Sequence, residues 1–458
     1  MRGMYGRNIS IALISFSLAF FAASHAPAIE EEFSPVLALT LEEAINLAFV
    51  ANRDIQIQER ELIAARAGIL GAQSKFLPRL DIDGGYVYNE AVLTPFIPHA
   101  SGAKKDVGVI GGYRNDNLWK VVLSEELYKG GAHIANFREA ETNLKIQEET
   151  LRARKLDIEF ETKRLYHGLQ LAYETERIAA DLVYQAEEHY EDVNSRYNQG
   201  TSSRFDLLQS KVHVAKTVPP LVKAENEVTL IGAELKKLLT VRIWDPIEIK
   251  EPLECLFIEI AEGDFLDLAY IGSPEMALKE LGVNLKEWSI KMAQSGNLPS
   301  IDLSASYIYR SNSLQTMFGY KHTNWTAGIQ FKIPIYDGFS TKAEVEEARA
   351  RYAQAILQKE DIIEQTAVDI RRASLGMEEA QAIIISQEDN LVEANEAVRL
   401  SEVRYDNGVG TNLDVLDTQV SLSQVEQNLA DGIYQYLMAR AYLDRVMGLE
   451  FYKEDYNE

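Results

Sequence analysis

Asp414 and Asp417 sit three residues apart where a helical pattern begins, so both carboxylates share one helix face. Paired carboxylates attract cations and raise each other's pKa by like-charge repulsion. The same positions also suit N-terminal capping and the positive end of a helix dipole, and the residue types leave both readings open. Other chemistry is thinly supplied. The seven histidines (His25, His99, His133, His167, His189, His213 and His322) show no metal-ligand spacing such as His-x3-His. A single cysteine, Cys255, excludes an internal disulfide and a cysteine-based zinc cluster. No G-x-S-x-G elbow, phosphate-binding loop or dinucleotide fingerprint occurs. Carboxylate pairs elsewhere fall on Glu-rich helices, where a solvated face explains them. The chain is read as having no catalytic residue, no metal site and no cofactor.

The 458 residues are 46% hydrophobic and 25% charged, ordinary for a folded chain. Acids outnumber bases 70 to 46, and a net charge of −24 argues against nucleic acid as a partner. Arg2, Arg7, the apolar run Ile9 to Ala23 and Ala26-Pro27-Ala28 predict a signal peptide over residues 1–28, cut after Ala28. Removing its two arginines takes the charge to −26, and no cysteine follows for a lipid anchor. No later apolar run reaches eighteen residues, so an exported chain without a membrane-spanning helix is expected.

The chain is written twice. Arg196-Tyr-Asn-Gln-Gly-Thr-Ser-Ser-Arg-Phe-Asp-Leu-Leu208 lies over Arg404-Tyr-Asp-Asn-Gly-Val-Gly-Thr-Asn-Leu-Asp-Val-Leu416 at an offset of 208, and that offset holds from Gly130 to Leu235. Upstream, Leu77-Pro-Arg-Leu-Asp matches Leu298-Pro-Ser-Ile-Asp at an offset of 221. The first repeat, 29–240, is predicted to hold a helix at 40–75, strands at 79–90 and 117–127, a long helix at 131–199 and a return helix at 203–240. The second, 263–448, repeats this with a helix at 265–297, strands at 300–310 and 323–334, a long helix at 338–406 and a return helix at 412–448. A connector at 241–262 and a tail at 449–458 complete the chain. Thr40-Leu-Glu-Glu43 reads as a capping box. Pro219-Pro220 predicts a kink or break in the first return helix.

The predicted strands alternate with period two. Leu80, Ile82, Tyr86 and Tyr88 share one parity, as do Ile301, Leu303, Tyr307 and Tyr309, opposite Asp81, Asp83, Asp302 and Ser304. Trp119 and Trp325 fall in the second strand of each pair. Aromatics at strand ends suit the girdles of a membrane barrel, though a soluble sandwich gives the same alternation. The linkers at 91–117 and 311–323 read as exposed loops. The long helices carry apolar residues every seven, from Phe137 to Val193 and from Ile356 to Tyr405, as in a coiled coil. Some 68 residues at 1.5 Å each make a rod of ~100 Å. If four strands per chain enter a membrane they must close, and three chains giving twelve strands are the fewest that leave a lumen.

The order of signal peptide, Thr-Leu-Glu-Glu-Ala helix, Phe-Leu-Pro strand, long helix, Arg-Tyr-x-x-Gly turn and Leu-Asp-Val-Leu, duplicated, resembles the TolC family of outer-membrane efflux and type I secretion channels. The resemblance spans roughly 39–450. It implies a mostly α fold with a small β part, assembled as a homotrimer with a twelve-stranded β-barrel continuous with a twelve-helix periplasmic coiled-coil tunnel. It implies an outer-membrane duct, not an enzyme, that conducts passively and works with a periplasmic adaptor (membrane fusion protein) and an inner-membrane transporter. By the same likeness Asp414 and Asp417 line a constriction, and Tyr405 and Asp206 help to latch it. The basic latch residue usual in the family falls at Gly410, and Arg204 offers a substitute. Gly200, Thr201, Ser202, Gly408, Val409 and Gly410 form the tips that face the adaptor. Tyr86, Tyr88, Trp119, Tyr307, Tyr309 and Trp325 form the membrane aromatic belt, in contact with outer-membrane lipid. The connector and tail join an equatorial belt. A soluble periplasmic coiled-coil adaptor or scaffold is the alternative.

Overall fold

A computed structural model describes residues 37–90, 113–258, 265–313 and 323–449. The expected signal peptide, most of both loops, residues 259–262 of the connector and residues 450–458 of the tail lie outside the described residues. The elements in order are β1 (Leu37–Leu39), α1 (Leu41–Ala51), α2 (Arg53–Gln73), β2 (Arg79–Tyr88), β3 (Asn115–Lys129), α3 (Ala132–Asn198), α4 (Arg204–Leu238), β4 (Ile247–Ile249), α5 (Phe265–Gly272), α6 (Pro274–Gln294), β5 (Ser300–Ser311), β6 (Thr323–Lys332), α7 (Ser340–Asp406) and α8 (Asn412–Met447).

The Thr40 capping box is present: the Glu43 N–H donates to Thr40 Oγ1 at 3.2 Å and the Thr40 N–H to Glu43 Oε2 at 2.8 Å. The single helices expected at 40–75 and 265–297 are each two. Asn52, with ψ of 130°, leaves the helical region, and its Oδ1 accepts from the Asp54 N–H at 2.8 Å to start α2. In the second repeat Ser273 breaks the chain before Pro274, which tolerates the first helical position because it has no N–H to lose. Of the kink or break expected at Pro219-Pro220, the break is absent: α4 runs through both prolines. Ala215, Lys216, Pro219 and Pro220 are all exposed, so carbonyls deprived of their donors can be hydrated.

The long helices α3 and α7 are 67 residues each. Their heptad positions point inward: Ile158, Leu165, Ala172, Ala186 and Val193 are buried on α3, and Ile370, Met377, Ile384 and Val398 on α7. Two cores lie at corresponding places in the repeats. Leu165, Tyr166, Leu169 and Leu235 centre one, and Ala373, Met377, Tyr436 and Leu443 the other. The connector and the segment just before α1 meet at the first core, where β1 pairs in parallel with β4 and buried Tyr166 donates to Leu39 O at 3.2 Å and Glu251 Oε2 at 2.9 Å. Farther along, the Ile258 N–H donates to Tyr436 OH at 2.9 Å, docking the connector on α8.

The four longer strands form one antiparallel sheet in the order β2-β3-β5-β6, leaving β2 and β6 as edges. The register aligns the apolar parity across all four. Leu80 opposes Leu123, Ile82 opposes Val121, Val121 opposes Tyr307, and Tyr307 opposes Trp325. Gly84 opposes Trp119, and a Cβ there would lie 2.6 Å from that indole, so glycine is required beneath it. The aligned face is bare, with Leu80 65%, Ile82 69% and Trp325 72% exposed. Asp81, Lys120, Ser306 and Thr326 line the opposite face. Among the described residues no helix is long and apolar enough to cross a membrane.

Candidate functional site at the paired helix turns

Both long helices stop by the same chemistry. At the end of α3 the Gly200 N–H donates to Tyr197 O and the Thr201 N–H to Arg196 O, each at 2.9 Å. At the end of α7 the Gly408 N–H donates to Tyr405 O and the Val409 N–H to Arg404 O, again at 2.9 Å. Each pair is a Schellman closure, which needs a left-handed residue, and Gly200 and Gly408 supply φ of 78° and 71°. Both return helices restart with a capping box. Asp206 accepts from the Ser203 N–H at 3.2 Å and its hydroxyl at 2.7 Å, and Asp414 accepts from the Thr411 N–H at 2.9 Å. The Thr411 bond holds the Asp414 carboxyl below the usual carboxylate range. Capping, one of the two roles open to Asp414 at the outset, is therefore realised.

Between the turns lies a buried network that sequence reasoning missed. Asn412, the first residue of α8, is only 3% exposed. Its Oδ1 lies 2.6 Å from His189 Nε2 and accepts from Ser210 Oγ at 3.1 Å. Its Nδ2 donates to Gln209 Oε1 at 3.1 Å and to Asp206 O at 3.4 Å. One amide thus joins α3, α4 and α8. Above it the Tyr405 ring packs 5.2 Å from His189, and the Arg196 guanidinium lies 5.2 Å from the same ring. Arg196 also bonds Asp406 Oδ1 and Asp192 Oδ2, both at 2.7 Å, so at the turns it is a cation that bridges the repeats, as Arg445 does through Asp157 farther along. His189 was legible as a core position, because Ala186, His189 and Val193 follow helical core spacing.

The remaining predicted residues separate. Asp417 is exposed and borders a groove between α4 and α8, opposite Leu208 and His213. His213 keeps Nε2 buried without a hydrogen-bond partner, and burial pushes its pKa down. Arg204 is exposed and makes no ion pair among the described residues. At Gly410, where the usual basic latch residue is missing, a Cβ would sit 3.0 Å from Arg404 Cβ and from Tyr405 N, so a side chain there requires the turn to shift. Gly200, Thr201, Gly408 and Val409 are exposed at the turn apices, and Ser202 is half-buried. Of the belt residues, Tyr86, Tyr88, Trp119, Tyr307 and Trp325 lie bare on the apolar face. Tyr309 does not, being 5% exposed with its hydroxyl donating to Ser313 O at 3.2 Å.

The chain thus joins one antiparallel sheet with an exposed apolar face to two 67-residue helices, each ~100 Å long. The family model "Outer membrane efflux protein" matches residues 44–241 and 265–449. The chain belongs to this family, which makes it an outer-membrane efflux protein and a channel, not an enzyme. The soluble adaptor or scaffold reading does not fit it. Outer membrane protein TolC of Vibrio cholerae is 23% identical over 91% of this chain and 92% of that one. The proteases secretion protein PrtF of Dickeya chrysanthemi is 22% identical over 52% of this chain and 53% of its own. The solved structure of CusC superposes with a TM-score of 0.77 at 20% identity, covering 89% of this chain and 92% of that one.

Proposed function

We propose that three copies assemble so that their sheets close into a twelve-stranded barrel and their helices into a twelve-helix periplasmic tunnel. The assembly conducts substrates passively from the periplasmic end to the exterior, as the exit duct of a tripartite efflux pump or type I secretion system. The observation that carries this reading is the four-stranded sheet. Both its edges are unpaired among the described residues and most of one face is apolar and exposed, a state that water and lipid alike penalise until the edges pair. Asp414 and Asp417 from three subunits would place six carboxylates at the constriction, favouring cations and attracting divalent blockers. The turns at Gly200, Thr201, Ser202, Gly408, Val409 and Gly410, exposed at their apices, would receive a periplasmic adaptor, which couples the duct to an inner-membrane transporter. The test is native mass spectrometry of the detergent-extracted chain together with planar-bilayer recording. A trimer with discrete steps of low conductance supports the proposal. A monomer that stays in solution without detergent and never conducts would sink it.

A further inference from the structure

The two helix turns are repeat-mates 208 residues apart, and within one chain the second is already docked on the first. Asn412, at the first position of α8, enters that seam and meets Gln209, Ser210, the Asp206 carbonyl and His189. Its repeat-mate is Arg204, at the first position of α4, which is exposed and makes no ion pair among the described residues. The same asymmetry holds beside it: Leu416 is 5% exposed, whereas its repeat-mate Leu208 is 51% exposed. The start of α4 is therefore a seam residue set without a seam.

On the trimeric reading above, each α3/α4 hairpin meets the α7/α8 hairpin of its own chain and that of the next, because a heterologous ring closes only in this way. Repeat equivalence then says what Arg204 meets. The mate of Gln209 is Asp417, the mate of the Asp206 carbonyl is the Asp414 carbonyl, and the mate of His189 is Ala397. The exchanges are complementary. An amide facing an amide becomes a guanidinium facing a carboxylate, and the imidazole gives way to a methyl group where the longer arginine needs room.

We propose that Arg204 pairs with Asp417 of the partner subunit when the tips are closed. Three such pairs hold the ring together at the turns where Gly410 carries no basic side chain. They also neutralise half of the six constriction carboxylates, so parting the tips exposes negative charge as it widens the path.

The test uses the full chain in a Cys255→Ser background carrying Arg204→Cys with Asp417→Cys. Oxidation is expected to give covalently linked trimers on a denaturing gel, and neither single cysteine should do so. In bilayers, Arg204→Glu and Asp417→Arg are each expected to raise closed-state conductance severalfold, and their combination to return it to within about twofold of the parent. Trimers that neither cross-link nor recover in the swapped pair would overturn the pairing and leave the channel reading intact. A chain that is not trimeric at all would overturn the channel reading, and the pairing with it.

Discussion

The two helix turns share one backbone code and carry opposite chemistry. Each ends a 67-residue helix in a Schellman closure on glycine and restarts with an Asp-containing capping box. Around the first turn stand His189, Gln209, Ser210 and His213, which are polar and partly or wholly buried. Their mates around the second are Ala397, Asp417, Thr418 and Ser421, and Asp417 is exposed and acidic. Duplication thus preserved what the chain needs to reverse direction and freed the flanking positions to diverge. The first turn became a lock that receives Asn412, and the second became the bearer of the carboxylates.

The comparison breaks most sharply at Asn412. Asn412→Leu fills the same site without hydrogen-bonding groups and strands His189 Nε2, while Ser210 Oγ keeps its bond to Asp206 O; the stranded group costs about 1–3 kcal/mol. Arg204→Leu, the same change at the mate, should leave the isolated protomer's stability nearly untouched because that side chain is exposed. Thermal unfolding of both variants checks this, and equal losses would mean that the turns are not differentiated as described. Gly410→Ser tests the next difference. Its mate, Ser202, is accommodated, whereas a Cβ at 410 meets Arg404 Cβ and Tyr405 N at 3.0 Å, so the turn must shift at a cost of ~1 kcal/mol. The reverse change, Ser202→Gly, should move the melting temperature far less.

Arg196→Ala removes the cross-repeat ion pair with Asp406. With Arg196 28% and Asp406 60% exposed, solvent screening limits the loss to ~0.2–1 kcal/mol. A double-mutant cycle with Asp406→Ala isolates that value, and a zero coupling energy would remove Arg196 from the lock. The smallest effect is in pH. Burial lowers the folded pKa of His213 below its ordinary 6.5, so the neutral ring's contribution is complete above 6.5 and lost as pH falls through that value toward the folded pKa. Asp414, held below its ordinary 3.8 by the Thr411 bond, contributes above 3.8 and loses that only as pH falls through its lowered folded pKa. Amide exchange at the starts of α4 and α8 should therefore respond to acid at different pH, the first turn loosening earlier. A common transition would contradict the assignment.

Much of this fold was legible because it rests on period. Heptads from Phe137 to Val193 and alternation from Leu80 to Tyr88 are local signals, and the sheet register aligns the parity they announce. The Asn52 and Pro274 breaks were missed because an apolar pattern continues across them, while the stop depends on one residue's backbone angle. At Pro219-Pro220 the local signal for a break is overridden, because the helix carries both prolines on an exposed stretch. Parity sets Tyr309 opposite Trp119, but it does not reveal that the side chain is buried with its hydroxyl on Ser313 O. The Asn412 network was illegible since its partners lie more than 200 residues away, and only the contrast between Arg204 and Asn412 in otherwise matching turns hinted that the two positions face different neighbours.

In the proposed trimer, Asp414 and Asp417 of the second turn line the duct's constriction. Reversal potentials under a salt gradient across a planar bilayer test it most directly, comparing the parent with Asp414→Ala combined with Asp417→Ala. A cation-selective parent, and a variant that loses both that selectivity and block by divalent ions, is the predicted result. Unchanged selectivity and block in a conducting trimer of the variant would contradict it.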